Sequence, residues 1–173
     1  SLVGDLLALG MVREIGESNS GSVGKKPTLL QPCTDHVFTI SVEFYSQYMY
    51  AAKIDLCGQV VCRVKRQAVS DSEQSTLLQA MFSCIDELKA SIDAANGICY
   101  GIGVATPAPV RGGVMQNSIH FSSLCGINLQ QIVADRYNCP VAVYNNADAA
   151  AMAESLYGNH ENVGCLLYIW VEQ

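Results

Sequence analysis

The sequence is short of charge, and basic residues are the scarcer kind. Charged side chains make up 15% of its 173 residues, against about 25% in a typical soluble domain. Ten Lys and Arg residues are outnumbered by sixteen Asp and Glu residues, which gives a net charge of −6. This balance argues against a broadly basic nucleic-acid-binding surface, although it allows a local basic element on a small module.

Two kinds of targeting segment are also missing. No apolar run approaches the roughly 20 residues of a membrane-spanning helix, so no membrane association is expected. The first residues lack the basic and apolar regions of a signal peptide. They also lack an initiator Met, which predicts that the chain is a piece of a longer one.

The eight cysteines contain no Cys-x-x-Cys pair, although several stand in apolar runs, among them Cys62, Cys99 and Cys165. Scattered thiols of this kind are typical of proteins in a reducing compartment, where free Cys behaves as a small apolar residue. We therefore expect structural thiols and a cytoplasmic location.

The first unit of the chain, residues 1–31, has the pattern of a helix followed by a hairpin. Leu2, Val3, Leu6 and Leu7 are spaced as on one helical face, and Gly10 suits the position after the helix end. Two strand-like runs follow at 11–15 and 27–30, with a Gly- and Ser-rich stretch between them. A helix and then a hairpin form the second half of a winged helix.

The second unit, residues 32–173, begins with three strands and then alternates helices and strands in the order βββαβαβαβ. Such an order predicts a mixed sheet with helices on its faces. It matches a ribonuclease-H-like lobe of the actin/hexokinase type. The strand at 98–104 is apolar almost throughout, which predicts burial on both faces. The predicted elements are strands at 37–44, 48–54, 59–65, 98–104, 141–144 and 163–171, with a possible hairpin near 114, and helices at 72–95, 128–137 and 147–157.

Two amides, Asn145 and Asn146, stand between a short β-rich run and an Ala-rich helix. Polar side chains at the carboxyl end of a strand, beside a helix N-terminus, are where α/β proteins bind ligands. The structural alternative is an N-cap. The two interpretations are compatible, because one Asn can cap while the other offers its amide to hydroxyl groups.

Several segments resemble the ROK family, which groups sugar kinases with sugar-responsive repressors. The run Val-Tyr-Asn-Asn-Ala-Asp at 143–148 is similar to the family's sugar-site segment. Residues 103–110, Gly-Val-Ala-Thr-Pro-Ala-Pro-Val, are similar to its Gly-x-Pro-Gly-Pro-Val loop, and Asn117-Ser-Ile-His120-Phe to its Asn-Ser-Pro-Asn-Phe stretch. The run Gly-Met-Val-Arg-Glu, followed later by Gly-Lys-Lys-Pro, looks like the end of a family repressor's DNA-binding module.

The positions that handle the nucleotide depart from the family's kinases. Where the kinases carry a catalytic Asp, this chain has Asn146, and an amide cannot take a proton from a sugar hydroxyl near neutral pH. Tyr45 replaces a Gly of the phosphate turn, where only a small residue lets backbone amides approach a phosphate. Glu172 begins what is a second phosphate loop in the kinases, and a carboxylate repels phosphate. We therefore expect no catalytic residues, no cofactor and no metal in this chain.

The resemblance implies a sugar-responsive transcriptional regulator with a degenerate, non-catalytic kinase-like domain. Asn117, His120, Asn145 and Asn146 would bind the sugar, while Lys25 and Lys26 next to Pro27 would contact operator DNA. A symmetric operator requires at least a homodimer. Two alternatives stay open: an unusual ATP-dependent sugar kinase, and a scaffold that no longer binds sugar.

Overall fold

The computed structural model describes residues 1–18, 26–67, 72–91, 97–158 and 164–170. Most predicted elements form within two or three residues of their expected bounds. In chain order the elements are α1 (Leu2–Ala8), β1 (Val12–Glu17), β2 (Thr28–Pro32), β3 (Val37–Phe44), β4 (Tyr48–Asp55), β5 (Val60–Gln67), α2 (Gln74–Ala90), β6 (Ile98–Thr106), β7 (Val110–Arg111), β8 (Val114–Met115), α3 (Leu129–Tyr137), β9 (Val141–Asn145) and α4 (Asn146–Tyr157).

The central sheet has five strands in the order β5-β4-β3-β6-β9. Strands β3, β4 and β5 form an antiparallel meander, and β6 and β9 then run parallel to β3. The predicted mixed sheet and its ribonuclease-H-like lobe are thereby confirmed. Because β3, β6 and β9 are parallel, their carboxyl ends meet at one edge of the sheet, and that edge holds the candidate site.

The core lies on one face of the sheet. Strand β3 has the predicted alternation, with Phe38, Ile40, Val42 and Phe44 buried. Helix α2 packs one apolar stripe against this face, and α3 adds two buried side chains beside it. The buried residues of α2 are Leu77, Met81, Cys84, Ile85 and Leu88.

Helices α2 and α3 are also joined at their exposed sides. Arg136 forms an ion pair with Asp86 at 3.0 Å, and the Tyr137 hydroxyl donates to the same carboxylate at 2.8 Å. Partial burial, and the neighbouring Asp86 carboxylate, raise the pKa of Tyr137, so it stays a neutral donor. This network fixes the end of α3, from which the chain turns directly into β9.

Strand β6 corrects one prediction. Its burial alternates, and Ile98 and Tyr100 are 46% and 56% exposed. The expectation of two buried faces was therefore wrong. Helices α2 and α3 cover only the core face, and α4 buries just Asn146 of its 12 residues. An apolar composition alone does not distinguish a strand that is covered on both faces from one that is covered on a single face.

The predicted last strand at 163–171 is also wrong for the residues that can be assessed. Residues 164–170 belong to no strand and are exposed. A strand needs a partner for its backbone N–H and C=O groups, and this apolar run joins no ladder with the described strands. Helix α2 ends at Ala90, five residues before its predicted end, and 92–96 lie outside the described residues.

The amino-terminal residues form the predicted helix and hairpin. Helix α1 is followed by β1 and β2, which pair antiparallel from Val12 opposite Pro32 to Glu17 opposite Thr28. The hairpin tip, residues 19–25, lies outside the described residues and includes Lys25; Lys26 is exposed. That this unit is part of a winged helix stays a prediction.

All eight cysteines are free, and most of them are partly buried. Only Cys84 is fully buried, while Cys57 and Cys165 are exposed. Burial raises the pKa of Cys84, and burial together with the neighbouring Cys139 raises that of Cys99 to about 11. These two thiols therefore stay protonated near neutral pH. No helix in the described parts of the chain combines the length and apolar character needed to cross a membrane.

Candidate functional site

The candidate site lies where β3, β6 and β9 end. Phe44, Thr106 and Asn145 are the last residues of these three strands, and Asn146 begins α4. Thr106 is completely buried, and its hydroxyl donates to the carbonyl of Ala108 at 3.1 Å. Sequence reasoning missed Thr106, because the predicted strand ended at residue 104 and Thr106 was assigned to the loop that follows it.

Asn145 is the N-cap of α4, as predicted for one of the two amides. Its Oδ1 accepts a hydrogen bond from the backbone N–H of Ala147 at 2.9 Å. Its Nδ2 donates to the carbonyl of Thr106 at 3.4 Å. Asn145 therefore satisfies one free N–H at the helix start and ties the ends of β9 and β6 together.

Asn146 makes a longer-range connection. Its side chain is 5% exposed, and its Nδ2 donates to the carbonyl of Phe44, the last residue of β3, at 3.4 Å. Its Oδ1 is buried and has no hydrogen-bond partner among the described residues. A buried acceptor without a donor costs roughly 1–3 kcal/mol. A hydroxyl donor that reached this oxygen would remove that cost.

The turn between β3 and β4 is filled by aromatic side chains. Tyr45 donates its backbone N–H to the carbonyl of Tyr48 at 2.9 Å, which closes a tight hairpin. The Tyr45 ring stacks on Tyr48 with centroids 4.9 Å apart, and it meets the edge of Tyr50 at 5.8 Å. The Lys65 ammonium lies 4.0 Å from the centroid of the Tyr48 ring. This geometry is that of an ordinary β-hairpin.

The loop after β8 carries the other two predicted sugar-binding residues. Asn117 and His120 are both exposed, and no hydrogen bond between described residues joins their side chains to Asn145 or Asn146. Phe121 is fully buried and meets Phe44 edge to face, with centroids 5.5 Å apart. The backbone N–H of Phe121 donates to the Ser118 hydroxyl at 3.1 Å. The sequence pattern singled out the exposed residues of this loop and missed the ring that anchors it.

The groups at this edge are suited to hydrogen bonding rather than to proton abstraction. The amides of Asn145 and Asn146 can hydrogen-bond hydroxyl-bearing ligands, and neither is a base near neutral pH. Asp148 is exposed in the first turn of α4, where the helix dipole favours an acidic residue. In the described ranges, no group of three His, Cys, Asp or Glu residues is placed to hold a metal ion.

The sheet order and this edge define one lobe of the ribonuclease-H-like, actin/hexokinase type. The chain belongs to the ROK family, because the family model matches residues 39–173.

Curated relatives match almost the entire chain. A xylose repressor from Bacillus subtilis (strain 168) is 27% identical over 94% of the chain. A putative xylose repressor from Caldicellulosiruptor sp. (strain Rt8B.4) is 24% identical over 99% of it. The chain spans 43% of the length of each of these relatives.

Solved structures share the fold at lower identity. A ROK family transcriptional regulator, described as a homologue of the E. coli MLC protein, aligns with 90% of this chain and 39% of its own. The TM-score is 0.71 and the identity 21%. A ROK family glucokinase from Streptomyces griseus, in complex with glucose and AMPPNP, aligns with 72% of this chain and 38% of its own, with a TM-score of 0.61 and 19% identity. At these identities the likeness shows the fold alone.

Proposed function

We propose that this chain is part of a sugar-responsive transcriptional regulator of the ROK type, whose kinase-like domain binds a sugar without phosphorylating it. The observation that carries the proposal is the buried amide of Asn146. It stands where the resemblance to the kinases places a catalytic carboxylate, and its Nδ2 is engaged with the Phe44 carbonyl. A missing general base alone removes roughly 10²–10⁴ in rate. The repressor names of the curated relatives support the same function.

The filled turn between β3 and β4 is a second argument against catalysis. A phosphate loop needs backbone N–H groups that converge on the phosphate with no side chain between them. Here the Tyr45 N–H is already bonded to Tyr48, and the Tyr45 ring packs on its neighbours. Glu172, the third predicted obstacle, lies outside the described residues.

In the proposed mechanism, a sugar would bias an equilibrium between two arrangements of the regulator. Asn145 and Asn146 would contact the sugar from the strand ends, and Asn117 and His120 from the exposed loop. The unpartnered Oδ1 of Asn146 is an acceptor that a sugar hydroxyl would satisfy. Only a difference in affinity between the two arrangements allows the sugar to shift their populations.

A coupled kinase assay on the full-length protein tests the absence of catalysis. We expect no sugar-dependent ADP release with magnesium, ATP and a panel of hexoses and pentoses, and no difference between the unmutated protein and Asn146→Ala. Calorimetry with the same sugars should show binding heat for at least one of them. Sugar-dependent ADP release that Asn146→Ala abolishes would establish the kinase alternative, and an absence of heat with every sugar would favour the scaffold.

The DNA contact predicts a change in salt dependence. Replacing Lys25 and Lys26 with Ala should weaken binding to an operator duplex and reduce the slope of log affinity against log salt concentration by roughly 1.8, since each phosphate contact contributes about 0.9. The matched control is Lys65→Ala with Lys89→Ala, which removes the same charge from β5 and α2. Equal slopes for the unmutated protein and the Lys25/Lys26 variant would place both lysines outside the DNA interface.

A further inference from the structure

In the helix–hairpin unit, residues 1–32, Gly10 is in contact with the side chain of His36, the residue before β3. The imidazole of His36 lies directly over Gly10. A methyl group placed on the Gly10 Cα would be 2.4 Å from the His36 Cδ2 and 2.6 Å from its Nε2. Contacts that short do not occur between real side chains, so the ring position requires that residue 10 have no side chain.

Gly10 is also the residue that ends α1. It has a φ of +67°, a left-handed conformation that glycine adopts without strain. Its N–H donates to the Leu7 carbonyl at 3.0 Å, and the Met11 N–H donates to the Leu6 carbonyl at 3.0 Å. These two bonds form a Schellman motif, which sets the direction in which the chain leaves the helix. The His36 ring therefore rests on the turn that orients α1 relative to β1.

The backbone of the same segment is bonded on both sides. The Cys33 N–H donates to the Met11 carbonyl at 2.9 Å, which ties the linker to the helix–hairpin unit. The His36 carbonyl accepts from the Ile98 N–H at 2.8 Å, which ties it to the start of β6. His36 is also the residue before β3. It thus stands where the two central parallel strands begin.

We propose that His36 is a coupling residue, whose ring on Gly10 transmits movement of β3 and β6 to the helix–hairpin unit. These strands start next to His36, at Val37 and Ile98, and end in the candidate site at Phe44 and Thr106. At about 3.3 Å per residue, the two ends are roughly 25 Å apart. If the strand pair moves as a rigid unit, a displacement in the site would reach this far end, where the His36 ring lies on Gly10. This role rests on the proposed function, since it presumes a sugar at one end and DNA at the other.

The test compares four variants of the full-length protein. His36→Ala removes the ring, His36→Phe keeps a flat ring without the nitrogens, and Gly10→Ala blocks the contact. Gly112→Ala is the matched control for Gly10→Ala, because Gly112 has a φ of +55° and nothing within 4 Å of a methyl group built on it. Amide hydrogen exchange at Cys33 and Ile98 is measured on each variant. The affinity of each variant for DNA is measured with and without D-xylose. The DNA is a duplex that the unmutated protein selects from a random pool.

We expect His36→Ala and Gly10→Ala to accelerate exchange at Cys33 and Ile98 by about tenfold or more, because exchange of a bonded amide requires local opening. They should also reduce the ratio of the DNA affinities measured with and without xylose by about fivefold or more. A fivefold ratio is about the lower end of typical coupling between two sites. His36→Phe should restore most of both quantities, and Gly112→Ala should change neither.

The two readouts separate failure of this inference from failure of the proposed function. Faster exchange with an unchanged xylose effect would overturn the coupling role, because the ring would then only stabilise the junction. Unchanged exchange in His36→Ala would overturn it as well. The proposed function is wrong if the unmutated protein selects no duplex, or if no pentose or hexose, xylose included, alters its DNA affinity. The coupling role then fails with it, whatever the exchange data show about the junction.

Discussion

Asn146→Asp is expected to destabilise the protein by on the order of 3 kcal/mol at pH 7, and not to create a kinase. The side chain is 5% exposed, and its Nδ2 is the donor to the Phe44 carbonyl. An ionised carboxylate there would lose that donor and place a buried negative charge beside a carbonyl oxygen, and such uncompensated burial typically costs a few kcal/mol. Urea unfolding of the variant and of the unmutated protein measures the difference in their free energies of unfolding. The comparison requires that both free energies depend on urea concentration with the same slope.

The destabilisation should depend on pH with a definite sign. Burial raises the pKa of the new carboxyl in the folded state above its unfolded value of about 3.9. At pH values between the unfolded and the folded pKa, the folded state binds more protons than the unfolded state. The variant should therefore regain stability as pH falls from 7 towards 4. A protonated carboxyl can also donate to Phe44. A loss that stays constant over this range would show that charge burial is not its cause.

The neighbouring position offers a matched control for this prediction. Asn145 is half-buried and acts as an N-cap, a role that Asp fills equally well and that the helix dipole favours. Asn145→Asp keeps the cap but loses the donation to the Thr106 carbonyl, so it should cost about 1 kcal/mol, well below the loss expected at Asn146. The same chemical change at adjacent residues thus separates the buried amide from the capping amide.

The second large effect is expected for Phe121→Ala, which should lower the free energy of unfolding by about 3–5 kcal/mol. The ring is fully buried and packs edge to face on Phe44, which is 1% exposed. Its removal leaves a cavity between the loop and the end of β3. We also expect weaker sugar binding, because the loop that carries Asn117 and His120 would lose its anchor. Chemical denaturation and calorimetry with the bound sugar measure the two effects.

A double-mutant cycle identifies how much of this loss belongs to the ring pair. Phe44→Ala and Phe121→Ala together should cost less than the sum of the single losses, with a coupling of about 0.5–1.5 kcal/mol. Tyr100→Ala serves as the control, since that ring is 56% exposed and should cost far less. Strict additivity of the two Phe variants would mean that the rings do not stabilise one another.

Much of the fold could be predicted from short-range pattern. The alternation in β3 and the three- to four-residue spacing in α2 are dictated by which face of each element contacts the core, and both appear as expected. Gly10 stands just past the end of α1 with the positive φ that this position favours, and Gly158 directly follows α4. The hairpin at Tyr45 was expected from the family resemblance together with sterics, because a Tyr cannot replace the glycine that a phosphate loop has at this position.

The candidate site was less accessible to sequence reasoning. The Asn146 hydrogen bond joins residues 102 positions apart, and no local pattern encodes such a pairing. Phe121 was not identified from the sequence as a core residue, because its polar neighbours in the loop were the candidates for sugar binding. The errors at β6 and at 163–171 have a common origin, since both segments are apolar and the composition does not reveal whether another element covers or pairs with them.

The strand pairs of the central sheet differ widely in the sequence separation of their residues. Strands β3, β4 and β5 are joined by tight turns, whereas the pairing of Val37 with Ile98 spans on the order of sixty residues. Pairings between distant residues incur a loop-closure entropy that local hairpins do not, and they are slow steps in folding. We therefore expect the three-stranded meander to form before β6 docks against it, and β9 with its two amides to follow. In that order the candidate site would form last among the described strands, and a chain that stalled during folding would expose β3 rather than present a half-formed site.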